Sequence, residues 1–494
     1  MAIVETLSVF LLETSSQYWL TRFVFLRALG FVYFFAFLSL VKQLIPLLGE
    51  NGLTPAKDYL SALRPRFKNK FAAFWNMPTI FWFRISDNFM RIFAWLGLIL
   101  SLLLLIGFGN VIMLFVLWIV YLSFVHIGQV WYGYGWEGQL LETGFVAIFM
   151  VPLLNPVPFP SFITPIATIW LLIWIAFRLH LGSGLIKLRA DPCWKDLTCL
   201  NYHFETQPIP SPLSPYWHFL PKPILKLGVL WTHFVQIIVP FFLFIPGIQR
   251  IIAGLLLLLF QIQLILSGNL SILNYISIVS IIAAFNDEFL SNLLPSFIIN
   301  KANEASLAAT PTVNYAAWAF FIVVIILSIP VVANLFSRFQ YMNTSFNQFY
   351  LVNTYGAFGS VGRKRYELVV EGTGEETIDA KTKWKEYEFI AKPTNIHRKL
   401  PVIAPYQPRI DWQIWFAAME TPSQNPWMFA FIKKLLNNDK NALSLIAKNP
   451  FPHKPPKYIR VSHYIYKFAK PGSKAVWERE LIGQWLPPLS KDDL

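Results

Sequence analysis

Six ionisable side chains lie inside or at the ends of strongly apolar segments, where charged groups are rare and usually serve a purpose. They are Arg27, Glu142, Arg178, His180, Lys187 and His233. The simplest use of Glu142 is an ion pair with Arg27 or Arg178 that fixes helix packing. A lone histidine on an apolar face, such as His233, is more often a packing group than a ligand. We therefore expect an intramembrane polar cluster, whose members are Arg27, Glu142, Arg178 and His180.

The densest polar run, residues 178–194, surrounds Lys187. An unprotonated lysine amine can act as a general base, and the small residues 182–184 let a ligand or another helix approach. A lysine at the end of a membrane helix is more often an anchor that reaches the headgroup layer. Lys187 is therefore the candidate catalytic residue of the chain, with an anchor as the simpler alternative.

Cysteine and histidine spacing restricts the other kinds of chemistry. Cys193 and Cys199 are the two cysteines of the chain, so one disulfide can form but a disulfide framework cannot. The histidines show no His-x-x-x-His spacing, and the two cysteines show no Cys-x-x-Cys spacing. We therefore expect no metal site.

Composition indicates that membrane helices hold these side chains. Hydrophobic residues make up 55% of the 494 residues and charged residues 14%, against roughly 25% charged in a soluble domain. The net charge of +14 comes without a zinc-finger, RNP or basic-helix pattern. We therefore expect anionic lipid headgroups, and no nucleic acid, as the partner of this charge.

Hydrophobic segments predict a polytopic α-helical membrane protein with about seven to nine transmembrane helices. A membrane helix needs about 20 mostly apolar residues. Nine segments meet or approach that length, of which the second and the eighth are short. They are residues 23–45, 92–107, 111–130, 138–154, 164–185, 224–245, 248–266, 271–285 and 315–336.

The remaining sequence divides the chain into two predicted domains. Residues 1–336 form a multi-span transmembrane domain with interfacial loops 49–91 and 189–223, and residues 337–494, the tail, form a C-terminal mixed α+β extramembrane domain. Residues 1–17 lack the basic leader and Ala-x-Ala site of a cleavable signal peptide. Within the tail we expect strands at 366–371, 383–390 and 458–468 and helices at 409–419 and 426–436.

Two arguments about orientation disagree. Loop 49–91 carries seven lysines and arginines, which by the positive-inside rule favours the cytoplasm for this loop and, with nine spans, for the tail. A bridge between Cys193 and Cys199 requires their loop to face an oxidising compartment, and the same span count would then place the tail outside. The aromatic stretch 71–83 is typical of an interfacial segment, which weakens the charge argument. We favour the outward orientation.

Ordered motifs over nearly the whole chain carry a resemblance to a known family. They are residues 18–22 (Tyr-Trp-Leu-Thr-Arg), 133–137 (Gly-Tyr-Gly-Trp-Glu), 140–144, 191–199 (Asp-Pro-Cys-Trp-Lys-Asp-Leu-Thr-Cys), 202–208, 352–356 (Val-Asn-Thr-Tyr-Gly), 366–373, 406–412 and 449–452 (Asn-Pro-Phe-Pro). On these motifs the chain resembles the lipase maturation factor family. The resemblance implies a non-catalytic membrane protein that helps secreted lipases, or other exported client proteins, to fold and assemble. It also implies the endoplasmic reticulum membrane in a eukaryotic host, whereas a bacterial host would place the chain in its plasma membrane.

A second, local likeness supports an alternative function. Residues 184–194 are similar to a segment of vitamin K-dependent gamma-carboxylase, in which the lysine of a Gly-Leu-x-Lys-Leu run is the base, and Lys187 falls on that lysine. The alternative is therefore a membrane enzyme in which Lys187 is the general base for a lipid-soluble substrate. The cluster of Glu142, Arg178 and His180 would tune or orient this lysine. We assign no cofactor, and a quinone is the cofactor that the carboxylase likeness would suggest under the alternative.

Overall fold

The computed structural model describes residues 18–305 and 311–494. The expectation about a signal peptide falls on residues 1–17, outside the described residues. The described chain forms a bundle of helices followed by a tail that contains a small sheet.

The bundle and its loops contain helices of very different length. In chain order they are α1 Trp19–Leu48, α2 Ala56–Leu63, α3 Lys70–Asn76, α4 Asp87–Ile106, α5 Val111–Ile127, α6 Gly135–Ala147, α7 Ile166–Arg189, α8 Pro192–Lys195, α9 Leu200–Thr206, α10 Ser214–His218, α11 Lys222–His233, α12 Ile248–Ser267, α13 Leu273–Ile281, α14 Asp287–Ser291, α15 Ser296–Glu304 and α16 Pro311–Phe336.

Six helical segments of the described chain are long and apolar enough to cross a membrane. They are α1, α4, α7, α12, α16 and the stretch Lys222–Phe244 that α11 begins. The other three predicted segments coincide with the shorter helices α5, α6 and α13. The fold class is thus confirmed. The second segment is longer than predicted, because Ser86 caps α4 and the helix starts in a polar turn before the apolar run.

Close packing of α1 against α4 depends on two glycines. A Cβ atom at Gly30 would overlap the backbone of Leu105, and one at Gly97 would overlap the ring of Phe37. Small residues let membrane helices approach closely, which is where van der Waals packing holds them together.

Loops 49–91 and 189–223 and the tail all lie on one face of the bundle, the tail face. Gln43, near the end of α1, donates a hydrogen bond to the carbonyl of Gln407 at 2.7 Å. Trp131 donates to the hydroxyl of Thr54 at 2.8 Å, which brings loop 49–91 to the same place. Asn269, after α12, donates to the carbonyl of Pro401 at 2.9 Å.

The opposite face is formed by the start of α1 and by α14. The carboxylate of Asp287 accepts hydrogen bonds from the backbone N–H groups of Trp19 and Leu20, both at 2.8 Å. An acidic group stabilises these otherwise unpaired N–H groups at the start of a helix. Helix α1 therefore runs from the opposite face, where Asp287 binds its start, to the tail face, where Gln43 contacts the tail.

The tail contains one four-stranded antiparallel sheet and one two-stranded sheet. The first has the order β2-β1-β5-β6, and the second pairs β3 with β4. The strands are β1 Arg365–Thr373, β2 Lys385–Glu386, β3 Glu388–Phe389, β4 Ile446–Lys448, β5 Tyr458–Phe468 and β6 Trp477–Leu489, and the helices are α17 Arg409–Ala417, α18 Pro426–Leu436 and α19 Lys440–Leu443.

Several expectations for the tail need correction. The strand expected at 383–390 is two short pieces, β2 and β3, which pair with different strands. Strand β6 was not predicted, because Gly483 and a pair of prolines argue against a strand. Its position at the edge of the sheet explains why it tolerates them. The domain division at 336 stays a prediction, since residues 353–357 of the tail side pack among the membrane helices.

Candidate functional site

Lys187 lies in the last turn of α7 and points into the protein, not towards headgroups. Only 4% of it is exposed. Its ammonium donates hydrogen bonds to the carbonyls of Ser183 at 3.1 Å and Ala357 at 2.7 Å. Its Nζ lies 5.2 Å from the centre of the Trp194 ring. The simple anchor interpretation therefore does not describe this side chain.

Lys187 lines a cavity of about 410 Å³ between the membrane helices and the tail. Its walls come from α6, α7, α8, α9, α11, α12, α13, α17 and the segment 355–360. Its apolar lining is rich in aromatic rings, which are Trp136, Trp194, Phe204, Phe260, Phe358, Trp412, Trp415 and Phe416. The lining residues Gly133 and Ser360 are exposed, so the cavity reaches the surface on the tail face.

Polar groups without hydrogen-bond partners also line this cavity. Both amide atoms of Gln139, Oε1 of Gln236 and Nε1 of Trp136 are buried and unpaired in the described structure. Gln236 lies where α11 widens into a π-helical turn, Phe234–Ile238. Such turns are frequent at functional sites. Buried polar groups are normally satisfied, so these groups mark places for a ligand or water.

His180 belongs to a hydrogen-bond chain that joins three helices. Its Nδ1 lies 2.7 Å from the carbonyl of Ala176, and its Nε2 lies 3.1 Å from Nε2 of Gln261. Gln261 accepts a hydrogen bond from Asn274 at 2.8 Å. This chain connects α7, α12 and α13 at the cavity wall, so His180 holds helices together there.

Glu142 and Arg178 form an ion pair in which each side chain is at most 2% exposed. Arg178 also donates to the carbonyl of Asn353 at 2.7 Å. Glu142 accepts hydrogen bonds from the hydroxyl of Tyr355 at 2.6 Å and from the backbone N–H of Asn353 at 3.1 Å. The pair therefore fixes segment 353–355 inside the helix bundle, and of the two arginines considered as partners of Glu142 the structure places Arg178 beside it.

Arg27 does not join this cluster. It donates to the carbonyls of Phe23 at 3.1 Å and Pro158 at 3.3 Å. Its guanidinium lies 3.5 Å from the centre of the Phe23 ring. These partners lie towards the other face of the bundle, where α1 begins. The four residues expected to form one cluster therefore lie in three places. Glu142 pairs with Arg178, His180 belongs to a separate hydrogen-bond chain, and Arg27 lies apart from both.

Glu142, Arg178 and His180 do not hydrogen-bond to Lys187 in the described structure. In the alternative function this cluster would tune or orient the lysine. The structure instead orients Lys187 with two backbone carbonyls, one of them from the tail side of the chain. This arrangement positions an ammonium group and provides no side-chain base or acid partner for it among the residues described.

The loop after Lys187 is closed by a disulfide between Cys193 and Cys199. Trp194 within it donates to the carbonyl of Phe358 at 2.9 Å, beside the cavity. Asp191 accepts a hydrogen bond from Arg363 at 2.8 Å. Burial alone would raise the pKa of Asp191, but the hydrogen bonds from Arg363 and from backbone N–H groups outweigh it and hold that pKa below its ordinary value.

His203 lines the same cavity as Lys187. Its ring lies 4.8 Å from that of Phe358. Burial, and secondly the charge of Lys187, lower the pKa of His203 to about 4. His203 is therefore neutral at pH 7. Among the lining residues that the structure describes, Lys187 is the single lysine, and none is an aspartate, a glutamate or an arginine.

Sequence reasoning missed the contact that holds the tail helix α17 on the bundle. Arg409 forms an ion pair with Glu137 at 2.9 Å, and the two side chains are 2% and 1% exposed. Arg409 also donates to the carbonyl of Trp131 and lies 3.5 Å from the centre of the Tyr132 ring. Glu137 lies in one of the motifs of the resemblance, and that was the available signal.

His233 is partly buried, and two of the tail tryptophans lie in the protein interior. His233 Nε2 lies 3.0 Å from the carbonyl of Trp194. Trp412 and Trp427 are buried, at 4% and 3% exposed.

These features define a class of protein: a polytopic helical membrane protein whose folded tail is locked onto one face of the bundle and closes a partly polar cavity there. Two family models match the chain. The lipase maturation factor transmembrane domain matches residues 20–292, and the lipase maturation factor C-terminal domain matches residues 351–487. The chain belongs to the lipase maturation factor family.

Individual relatives agree with this assignment. The chain is 42% identical to lipase maturation factor 1 of Bos taurus, over 97% of this chain and 91% of the relative. It is 44% identical to lipase maturation factor 1 of Mus musculus, over 97% and 89%, and 29% identical to lipase maturation factor 2 of Rattus norvegicus, over 95% and 83%. No solved structure matches the chain. These matches lend no support to the carboxylase-like alternative, which stays a prediction.

Proposed function

We propose that this integral membrane protein assists the folding, assembly or maturation of secreted lipases. The observation that carries the proposal is the identity of 42–44% to lipase maturation factor 1 over 97% of the chain. Similarity of that extent covers both the membrane helices and the tail, so it reflects more than a shared fold. The clients are secreted lipases or other exported proteins.

The tail is the part of the chain that we propose contacts the client. Buried ion pairs and hydrogen bonds hold it on the bundle, so it can act as a fixed platform. Large apolar side chains are nevertheless exposed on it, among them Phe339 at 80%, Val402 at 79% and Leu481 at 58%. Leu481 lies on β6, an edge strand, and exposed apolar groups beside a free edge suit an incompletely folded client.

We propose further that the tail face lies in an oxidising compartment. The disulfide between Cys193 and Cys199 is on this face and persists in such surroundings. Loop 49–91 shares the face, and its exposed aromatic rings, Phe71 at 74% and Phe83 at 81%, suit the headgroup layer. Its basic residues can then bind anionic headgroups. In a eukaryotic host the compartment is the lumen of the endoplasmic reticulum, and in a bacterium it is the outer side of the plasma membrane.

Maturation as proposed needs client binding alone. It uses no cofactor and no covalent step at Lys187. The quinone of the alternative function would require that lysine to react, whereas among the described residues its hydrogen bonds go to two backbone carbonyls and its Nζ lies near the Trp194 ring.

Site-specific photo-crosslinking tests the client-binding role. A photoreactive amino acid is placed at Leu481 or Val402 on the tail, or at Leu293 on the opposite face, which is 66% exposed. A secreted dimeric lipase is expressed with each variant. We expect covalent adducts with newly made lipase from the tail positions and none from Leu293. Equal labelling from both faces, or labelling from Leu293 alone, would contradict the proposal.

A further inference from the structure

The cavity beside Lys187 has the properties of a ligand site, independently of client binding. Its volume, about 410 Å³, lies within the roughly 300–1,000 Å³ typical of small-molecule sites. Such sites are mostly apolar, with a few convergent polar groups that fix orientation. Aromatic and aliphatic side chains form much of its walls, and its polar groups are the Lys187 amine, two imidazoles, amides and hydroxyls.

The charge in the cavity lacks a counter-ion. Lys187 forms no salt bridge within the part of the chain that the structure describes, and both of its hydrogen bonds go to neutral carbonyls. A buried charge is costly unless it is paired. A ligand with one negative charge, bound beside Lys187, would supply the missing counter-ion and stabilise the charged form of the lysine.

Unpaired donors and acceptors indicate where the rest of a polar head would bind. Gln139 has a free amide, and Trp136 has a free indole N–H. Both line the cavity with Lys187. Indole and amide N–H groups can donate to carboxylate oxygens, which accept several hydrogen bonds at once.

The position of the cavity indicates the rest of the ligand. Lys187 is in the last turn of a membrane helix, so the cavity lies near the level of lipid headgroups. Phe260 and Leu264 of α12 continue its wall along a membrane helix. A molecule with a charged head near Lys187 can therefore lay an apolar chain against these aromatic and aliphatic side chains.

We propose that this cavity binds a single-chain lipid carboxylate, a free fatty acid, with its head at Lys187 and its chain among the aromatic rings. A phosphodiester lipid would bring a second polar substituent, for which the lining offers no second charge. A quinone would leave the ammonium without a counter-ion. The role is ligand binding, and no reaction is assigned to the site.

Direct binding of labelled palmitate to the purified full-length protein in detergent micelles tests the proposal. Two variants address head and chain separately: Lys187→Gln removes the charge, and Ser277→Phe fills the cavity from α13. Lys222→Gln is the matched control, because Lys222 is exposed and lies outside the cavity. Each variant is first shown to be folded by its gel-filtration profile and thermal unfolding.

We expect saturable binding of palmitate by the wild type and the control. A charge-assisted hydrogen bond predicts about 10- to 100-fold weaker binding in Lys187→Gln, and Ser277→Phe should bind no palmitate. Palmitic acid methyl ester should fail to compete. Wild-type binding no greater than that of empty micelles would overturn the proposal. So would competition by the methyl ester or by a short-chain ubiquinone equal to that of palmitate, or undiminished binding in a folded Lys187→Gln or Ser277→Phe.

Because this assay contains no lipase, its result is separate from the maturation role. Loss of palmitate binding would leave the photo-crosslinking result unchanged, and the converse holds as well.

Discussion

The substitution Arg409→Ala addresses the contact that holds the tail on the membrane helices. The Arg409 side chain is 2% exposed and pairs with Glu137 at 2.9 Å. Removing the guanidinium leaves a carboxylate buried without its counter-ion, which costs about 3–5 kcal/mol. Tyr121 still donates a hydrogen bond to Glu137, so we expect the lower half of that range.

The assay is limited proteolysis of the detergent-solubilised protein. When opening and closing are fast relative to cleavage, the cleavage rate follows the population of the open state. A loss of about 3–4 kcal/mol raises that population roughly 100- to 1,000-fold at 1.4 kcal/mol per factor of ten. Tail cleavage should accelerate by about that factor.

Two further variants make the reasoning refutable. Lys434→Ala removes a long contact of 3.9 Å to Asp439 at the protein surface, and such pairs are worth about 0–1 kcal/mol. The double variant Arg409→Met with Glu137→Gln removes both charges, so it should recover most of the loss. If Arg409→Ala were cleaved no faster than Lys434→Ala, or if the double variant were as labile as the single one, the ion pair would not hold the tail.

Three other predictions concern the tail face. Cys193→Ser with Cys199→Ser should leave the fold intact but make the loop between them accessible to protease, because a disulfide restricts the conformations of an open loop; unchanged cleavage there would argue against a role for the bridge. Gly182→Val should separate segment 353–357 from α7, since a Cβ at this position overlaps the carbonyl of Tyr355, and a hydrogen-exchange measurement that shows unchanged protection of that segment would contradict this. Burial raises the pKa of Asp411 to about 6, against backbone hydrogen bonds that lower it. Between about pH 4 and pH 6 the folded tail binds a proton at Asp411 more tightly than the unfolded chain does. The charged carboxylate therefore destabilises the fold fully above about pH 6, and this destabilisation disappears towards about pH 4. Asp411→Asn should therefore be more stable than wild type by up to about 3 kcal/mol at pH 7 and equal to it near pH 4, and parallel unfolding profiles across this range would refute the assignment.

The sequence predicts the membrane helices because their signal is local. A run of about 20 apolar residues leaves the backbone one way to satisfy its polar groups, and each predicted segment coincides with a helix. Strand β5 was equally predictable, since residues 458–468 are rich in β-branched and aromatic side chains and are bounded by proline and glycine. By contrast, β6 contains charged residues, Gly483 and two prolines, and becomes a strand only because β5 offers it a partner.

The candidate site was predictable only in part. Lys187 could be singled out from its position in an apolar segment, but the carbonyl of Ala357 that orients it lies 170 residues away. The pairing of Glu142 with Arg178 was one of two alternatives that spacing left open, and the fold decided between them. Arg409 looked like an ordinary polar residue at the start of an amphipathic helix, because nothing local shows that its side chain is buried against Glu137.

The most direct test of the central claim is the specific activity of a secreted dimeric lipase in cells that lack their own lipase maturation factor. We predict that this chain restores active lipase per amount of lipase protein. We also predict that Lys434→Ala restores it equally, and that Arg409→Ala at matched expression does not. Lipase that remains inactive with a well-expressed, correctly inserted wild-type chain would contradict the account.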